Sequence, residues 1–308
     1  MKTIIAAEGL TKTFGSFRGV EELDFEINEG EVFGFLGPNG SGKTTTIRLL
    51  LGMYRPTAGG ARVFGRDPDD DAAAILRQTG YLPGEFALHP RLTGRQHLDF
   101  VAGVRGVRDR KLCDQLVERF EVVLDRPSRT LSKGNRQKIG IVLAFLHRPE
   151  LLILDEPTTG LDPLMQREFH QLLRETVSEG RTVLLSSHEL DEVQRVVDRL
   201  AIIKEGRLIV TDTMENLRKT VPRTLEFRFA AALDPEVFSR IDGVRVLNAD
   251  GEHVTLSLRG PLASVLRVAS EHDPVDVIAR PADLDELFLN YYRDGSDGDS
   301  PSEASHEH

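Results

Sequence analysis

One stretch of the sequence decides the fold of this chain: Gly37-Pro38-Asn39-Gly40-Ser41-Gly42-Lys43-Thr44. A glycine is followed after four residues by Gly-Lys-Thr, between an apolar run at residues 32–36 and a helical pattern at residues 45–51. Glycine permits backbone angles barred to other residues, so the N–H groups of such a loop can converge on phosphate oxygens at a helix N-terminus. We predict that Lys43 reaches the terminal phosphates of a nucleotide and that the Thr44 hydroxyl binds Mg²⁺. An ordinary glycine-rich turn is the alternative.

Two acidic residues, Asp155 and Glu156, follow the apolar run at residues 151–154. Both carboxylates should emerge at the carboxyl edge of a strand, where open α/β sheets place their ligands. We predict that Asp155 holds Mg²⁺ and that Glu156 is the general base, or positions the water that attacks the γ-phosphate. An acidic pair at a strand end is usually just solvated, but the phosphate-binding loop favours the catalytic interpretation.

A third apolar run, residues 183–185, leads into Ser186-Ser187-His188. The same reasoning brings one imidazole to the same edge of the sheet. We predict that His188 contacts the γ-phosphate, against the alternative of a surface histidine at a strand end.

Length and composition exclude several classes of protein. With 308 residues, of which 40% are hydrophobic, the chain can bury one full core and a smaller second one. The longest apolar runs fall far short of the ~18 residues that span a bilayer. Residues 1–10 lack the apolar region of a secretion signal, so we expect the chain to stay in the cytosol. A single cysteine, Cys113, excludes an internal disulfide and a multi-cysteine metal site.

The net charge of −10 is unevenly distributed. Residues 294–308 contain five acidic residues and no Lys or Arg, so half of the net charge lies there. This segment has too few apolar residues to fold, and we predict an acidic disordered tail. Metal binding by His306 and His308 is the alternative. The acidic balance argues against nucleic acid as a partner.

The pattern along the chain predicts two domains. Residues 1–220 alternate apolar runs with helical patterns, which indicates a mostly parallel α/β sheet, with a helical subdomain inserted at about residues 84–150. Residues 221–293 follow the order βαββαβ, which is typical of a ferredoxin-like domain, and end with a helix at residues 283–292. The candidate strands of the first domain are residues 4–8, 23–27, 32–36, 151–154, 183–186 and 200–203.

Two further motifs complete a resemblance to a known family. Leu131-Ser132-Lys133-Gly134-Asn135 resembles the signature loop of the ATP-binding cassette of ABC transporters, whose usual sequence is Leu-Ser-Gly-Gly-Gln. We predict that a helix follows it at residues 136–146. Thr159-Gly160-Leu161-Asp162 resembles the D-loop of that family, and the motifs occur in family order over residues 3–220. The resemblance implies a P-loop NTPase fold with a RecA-like α/β core, an antiparallel β subdomain and an inserted helical subdomain. The small α+β ferredoxin-like domain follows it.

The resemblance also implies ligands and a partner. ATP and Mg²⁺ are the expected cofactors, and Phe14 falls where an aromatic side chain stacks on adenine, with Phe17 as the rival. In the family, the signature loop of one cassette closes over ATP held by another, so a second copy or a paired cassette is implied. The ATP-binding residues implied in this way are Phe14, Gly37, Pro38, Asn39, Gly40, Ser41, Gly42, Lys43, Thr44, Thr45, Ser132, Lys133, Gly134, Asn135 and Asp162.

A further position departs from the family pattern. The family places a glutamine after a strand where this chain has Gly84, within Tyr81-Leu82-Pro83-Gly84-Glu85. Glycine supplies no amide, and Glu85 is the candidate substitute. The apolar side chains of residues 86–90 suit either a groove for a coupling helix of a membrane subunit or a buried contact of the helical lobe.

The Gly84-Glu85 variant, the short cassette and the added C-terminal domain resemble the drug-export branch of the family, including daunorubicin- and tetronasin-type resistance ATPases. That branch implies an integral membrane permease as partner and a position at the cytoplasmic face of the cell membrane. The alternatives are a soluble ABC ATPase that acts on ribosomes or DNA, and a regulator that binds nucleotide without hydrolysis. The chain has a single P-loop, at residues 37–44, and no sustained heptads, which argues against the soluble ATPase. Glu156, a candidate base, argues against a regulator without hydrolysis.

Overall fold

The computed structural model describes residues 2–220 and 222–280. The chain divides into two compact units, Met1–Asp212 and Thr213–His308. The division falls earlier than the predicted boundary at residue 220, so the helix Met214–Thr220 is grouped with the second unit.

The elements are numbered in chain order. The strands are β1 (Thr3–Phe14), β2 (Phe17–Asn28), β3 (Val32–Leu36), β4 (Ala58–Val63), β5 (Thr79–Leu82), β6 (Leu151–Asp155), β7 (Thr182–Ser187), β8 (Arg199–Lys204), β9 (Arg207–Thr213), β10 (Arg223–Phe229), β11 (Val244–Asp250), β12 (His253–Leu258) and β13 (Pro274–Arg280). The helices are α1 (Lys43–Leu50), α2 (Pro68–Gln78), α3 (Gly94–Arg105), α4 (Lys111–Arg119), α5 (Lys133–Phe145), α6 (Pro163–Ser178), α7 (Leu190–Val193), α8 (Met214–Thr220), α9 (Glu236–Ser239) and α10 (Leu262–Ser270).

A six-stranded sheet in the order β5-β6-β7-β3-β8-β9 forms the centre of the first unit. The neighbours from β5 to β8 pair in parallel, and every residue of β3, β6 and β7 is buried. Strands covered on both faces are expected to be continuous apolar runs rather than alternating ones. These three strands are therefore the ones that the sequence predicts best.

A three-stranded antiparallel sheet, β2-β1-β4, completes the first unit. Its strands β1 and β2 are longer than predicted, because polar residues outside the apolar runs continue the ladder as far as the pair Phe14 and Phe17. Backbone pairing, which a search for apolar runs cannot detect, extends these strands.

Helices α3, α4 and α5 lie between β5 and β6, where the sequence predicts a helical subdomain. The last of them, α5, begins at Lys133 rather than at the predicted residue 136. Its start is fixed by Ser132, whose Oγ accepts a hydrogen bond from the backbone N–H of Asn135 at 3.1 Å. A serine at this position satisfies one of the free N–H groups of the first helical turn.

The second unit has the order β-α-β-β-α-β from β10 to β13, and its strands form an antiparallel sheet in the order β11-β12-β10-β13. The core contains stacked aromatic rings, with Phe238 of α9 lying 6.0 Å from Phe227 and 6.1 Å from Phe229 between ring centroids. The predicted helix at residues 283–292 and the acidic tail lie outside the described residues.

No helix within the described ranges is long and apolar enough to cross a membrane.

Replacing Phe238 with alanine should destabilise the second unit by about 3–5 kcal/mol, because its ring is fully buried and packs against the rings of Phe227 and Phe229. Hydrogen exchange of the full chain should speed up in β10 to β13 while β3, β6 and β7 keep their protection. Leu266→Ala in α10 is the matched control, since that side chain is 41% exposed. Equal protection of the second unit in both variants would contradict the assigned core.

A candidate site for nucleotide binding and hydrolysis

A cavity of about 680 Å³ opens at the carboxyl edge of the six-stranded sheet. The loops that follow β3, β6 and β7 contribute most of its polar groups. It is lined by Phe17, Gly19, Asn39, Gly40, Ser41, Gly42, Lys43, Thr44, Thr45, Arg48, Tyr81, Pro83, Gly84, Glu85, Asp155, Glu156, Thr159 and His188.

The loop between β3 and α1 has room only for glycine at two positions. A Cβ atom on Gly37 would lie 2.4 Å from the carbonyl oxygen of Ile203, and Gly42 has a φ of 111°, with Val20 Cγ1 at 2.7 Å from its would-be Cβ. Gly42 directly precedes α1, so the loop passes into a helix N-terminus. Backbone N–H groups at such a junction bind phosphate.

Lys43 is 6% exposed, and its ammonium group lies inside this loop. Nζ donates hydrogen bonds to the carbonyl oxygens of Gly37 at 2.6 Å and Pro38 at 3.2 Å. It also lies 3.4 Å from Glu156 Oε1. The positive charge is thus directed at the cavity from the side of the loop.

Asp155 is held by two hydroxyl groups at the end of β6. Thr44 Oγ1 donates to Oδ2 at 2.8 Å, and Ser186 Oγ donates to Oδ1. The carboxylate is 1% exposed, so these bonds offset part of the cost of its burial. Asp155 and Thr44, the two predicted metal ligands, are therefore in direct contact.

Glu156 lies between a cation and an imidazole. Its Oε2 accepts a hydrogen bond from His188 Nδ1 at 2.7 Å, with the proton assigned to that nitrogen. Its backbone has a φ of 51°, in the left-handed region that is rare for a residue with a side chain. Strain of this kind clusters at functional sites, and here it accompanies the carboxylate predicted to be the base.

The residues present fit a nucleotide with Mg²⁺. Within the described ranges, Ser41 Oγ and Glu156 Oε1 are buried without a hydrogen-bond partner. Mg²⁺ binds through one or two protein oxygens plus phosphates and water. Thr44 Oγ1 and the carboxylate of Asp155 are the oxygens that would hold it.

Tyr81 and Arg48 line the cavity close to Asp155. Burial, and secondarily the charge of Asp155, raises the pKa of Tyr81 to about 12, so its hydroxyl stays protonated at neutral pH. Arg48 Nη1 donates a hydrogen bond to Tyr54 Oη at 2.9 Å. The guanidinium adds a second positive charge to the cavity lining.

Gly84 lies close to Asp155, the carboxylate predicted to bind Mg²⁺. A Cβ atom at this position would lie 3.3 Å from Asp155 Oδ2. Glu85 also lines the cavity, and its side chain is exposed. Gly84 therefore lies beside Asp155 and presents no side-chain donor to the site.

The two candidates for the adenine contact differ in their positions. Phe17 lines the cavity, whereas Phe14 does not. The Phe14 ring packs edge-on against Tyr54, at 5.4 Å between centroids, and Lys12 Nζ lies 5.3 Å from its centroid. The short turn between β1 and β2 directs these two neighbouring aromatic residues differently, and the sequence gives no indication of which one faces the site.

The signature-like loop, residues 131–135, does not line the cavity of its own chain. Gly134 packs against the carbonyl oxygen of Gly160, which a Cβ atom would approach to 2.5 Å. Asn135 is occupied internally, accepting a hydrogen bond from the N–H of Val123 at 2.8 Å and donating to its carbonyl oxygen at 2.9 Å. In this conformation both the oxygen and the nitrogen of its side-chain amide are bonded within the chain.

Asp162 is an N-terminal cap of α6. Its Oδ1 accepts hydrogen bonds from the N–H groups of Leu164 and Met165 at 3.1 and 3.0 Å. The bond from Met165 is the main reason that the pKa of Asp162 is lowered. Asp162 does not line the cavity, but Thr159 of the same loop does.

Several residues at the site were missed by sequence reasoning. Ser186 binds Asp155, and Gln137 of α5 donates to the carbonyl oxygen of Pro157 at 2.8 Å. The strand-end position of Ser186 was visible in the sequence and could have suggested its role. Gln137 gave no such signal, since a glutamine inside a helix is ordinarily solvated.

Comparison with known proteins identifies the family. A family model described as ABC transporter matches residues 20–159. The bacitracin transport ATP-binding protein of Bacillus licheniformis is 39% identical over 235 residues, or 75% of this chain and 76% of that protein. The daunorubicin/doxorubicin resistance ATP-binding protein of Streptomyces peucetius is 33% identical over 324 aligned positions, gaps included, which cover 98% of this chain and 96% of that protein.

Solved structures agree with this result. The ATP-binding subunit of an ABC transporter is 30% identical with a TM-score of 0.65, and covers 70% of this chain and 92% of that one. A dimeric cassette bound to ADP and Pi shares the fold, at 23% identity and a TM-score of 0.62, over 68% of this chain and 98% of that one. The chain therefore belongs to the ABC transporter family, as an ATPase of its drug- and antibiotic-export branch.

Proposed function

We propose that this chain hydrolyses Mg-ATP in the cavity at the sheet edge and that this hydrolysis drives export through a separate membrane permease. The observation that carries the proposal is the position of Glu156, with His188 Nδ1 at 2.7 Å and Lys43 Nζ at 3.4 Å. A carboxylate held in this way can orient and polarise a water molecule, while the cations stabilise the charge that develops on the transferred phosphoryl group. When bound, Mg²⁺ supplies further charge neutralisation.

Two cassettes together form the working unit in this proposal. Ser132 and Gly134 do not line the cavity of their own chain, although a serine at a helix N-terminus next to a glycine suits phosphate binding. We infer that the signature-like loop of one cassette acts on the nucleotide of another, as the family resemblance implies. The partner is a second copy or a paired cassette.

The proposed cargo is a drug, antibiotic or lipid-like compound. The relatives named for bacitracin transport and for daunorubicin/doxorubicin resistance support this class, and the second of them matches nearly the whole chain. The permease would hold the cassette at the cytoplasmic face of the membrane. Neither relative supports action on ribosomes or DNA, and we do not propose that alternative.

Glu156→Gln should bind Mg-ATP but release phosphate at least about 100-fold more slowly, because the amide keeps the shape of the side chain and loses its basicity. Phosphate release and size-exclusion chromatography with ATP test this prediction, and a stalled closed dimer should accumulate. Turnover at the parental rate would refute the base assignment.

Lys43→Ala is the companion variant that separates binding from hydrolysis. Loss of its charge-assisted contacts should weaken ATP binding by about 10- to 100-fold. Fluorescent ATP should therefore bind Glu156→Gln normally and Lys43→Ala poorly.

Phe17→Ala should weaken ATP binding by about 1–3 kcal/mol if Phe17 stacks on adenine, and should leave the binding of inorganic tripolyphosphate unchanged. Phe14→Ala is the matched control, because its ring packs on Tyr54 outside the cavity lining. Calorimetric titration of both variants tests the assignment. The reverse ranking of the two variants would restore Phe14 as the stacking residue.

Expression with a permease encoded beside this chain should yield a complex that purifies together in detergent. Its ATPase rate should rise when the transported compound is added, since transport and hydrolysis are coupled in this proposal. Failure to associate with every neighbouring permease would contradict the export function without affecting the ATPase assignment.

A further inference from the structure

Glu192 is a buried carboxylate that the proposed hydrolysis does not use directly. It lies on α7, four residues after His188, and is 8% exposed. Its side chain accepts two hydrogen bonds: Thr158 Oγ1 donates to Oε1, and Ser187 Oγ donates to Oε2 at 2.8 Å. Burial raises the pKa of Glu192, and the nearby carboxylates of Glu156 and Glu189 act in the same direction.

The two hydroxyl groups belong to the two segments that carry the hydrolytic pair. Thr158 lies two residues after Glu156, in a turn where the N–H of Thr159 donates to the Glu156 carbonyl oxygen at 3.3 Å. Ser187 immediately precedes His188, and its carbonyl oxygen accepts the N–H of Gly37 at 3.2 Å. One carboxylate therefore links the loop after β6 to the end of β7.

Burying a carboxylate between two hydroxyl groups has a high cost in free energy if its only effect is to fill space. A carboxylate away from water is disfavoured unless its lone pairs are satisfied, and an apolar side chain of similar volume often serves a core as well or better. The carboxylate adds a geometric constraint, because it holds the two hydroxyl donors at fixed positions. The donors here are attached to the segments whose side chains meet at 2.7 Å between His188 Nδ1 and Glu156 Oε2.

We propose that Glu192 is a positioning residue for ATP hydrolysis: its hydrogen bonds to Thr158 and Ser187 hold the two segments in the register that brings His188 onto the carboxylate of Glu156. The inference rests on the proposed roles of Glu156 and His188. Glu192 itself does not line the cavity. Its loss should therefore change the rate of turnover more than the binding of nucleotide.

Three variants test this role in the full chain. Glu192→Ala removes both bonds and should lower kcat by about 10- to 100-fold, the loss expected from a small misplacement of reacting groups, while KM for ATP stays within about threefold. Glu192→Gln should restore most of the rate, because its amide can accept from one hydroxyl and donate to the other. Asp191→Ala, one residue earlier and exposed, is the matched control and should leave kcat unchanged.

A spectroscopic readout separates this inference from the proposed function. In ¹⁵N-histidine NMR spectra, the His188 resonances, assigned with His188→Gln, should report a hydrogen-bonded Nδ1–H in the parent chain and in Glu192→Gln. This signature should disappear in Glu192→Ala and weaken in Thr158→Val, which removes one donor without creating a buried charge. The measurement needs no hydrolysis, so it remains decisive even if the chain proves inactive.

The inference is overturned if Glu192→Ala keeps both the parental kcat and the parental His188 signature. It is also overturned if Glu192→Gln is as impaired as Glu192→Ala, because charge rather than hydrogen-bond position would then be the cause. Should Glu192→Ala fail to fold, Thr158→Val decides the question, and an unchanged His188 signature in that variant refutes the positioning role.

Discussion

The in-register parallel pairing of β6, β7 and β3 is the constraint on which the site depends. Asp155 is paired with Ser186, and Leu36 with Ser187, so the last residues of three buried strands lie side by side at one edge. Because the carboxyl ends of these parallel strands lie at one edge of the sheet, the residues that follow them are brought close together by the sheet itself. The sheet fixes its register by burying apolar side chains on both faces, since a slip of one residue would exchange the faces of a whole strand.

The alternation of side chains along β7 then distributes two hydroxyl groups to two different carboxylates. Ser186 donates to Asp155 on one side, and Ser187 donates to Glu192 on the other. Thr44 and Thr158 complete the arrangement, so that each buried carboxylate receives two hydroxyl donors. Neutral donors satisfy the lone pairs without neutralising the charge, which leaves Asp155 free to attract a metal ion. The same strand end thus donates hydrogen bonds both to Asp155, the predicted metal ligand, and to Glu192, the proposed positioning residue.

Sequence reasoning succeeded where apolar runs decide the structure. The predicted site residues at the carboxyl ends of β3, β6 and β7 follow uninterrupted buried strands and were placed by position alone. Sequence reasoning could not fix features that a hydrogen bond or a turn decides: the start of α5 depends on the cap formed by Ser132, and the different positions of Phe14 and Phe17 depend on the turn between β1 and β2. Serine, threonine and glutamine occur both in loops and at sites, so their contacts with a carboxylate become visible only in three dimensions.

The departures from the family pattern affect contacts around the site and leave its chemical groups intact. Gly84 has no side chain beside Asp155, where even a Cβ atom would lie 3.3 Å from Oδ2, and Thr44 and Ser186 still hold that carboxylate. Lys133 replaces a glycine in the signature-like loop, but it is the first residue of α5 and the cap by Ser132 is retained. The proposed base, cation and metal-binding carboxylate are Glu156, Lys43 and Asp155, and the chain keeps all three. The substitutions at residues 84 and 133 therefore lie outside this set of three groups.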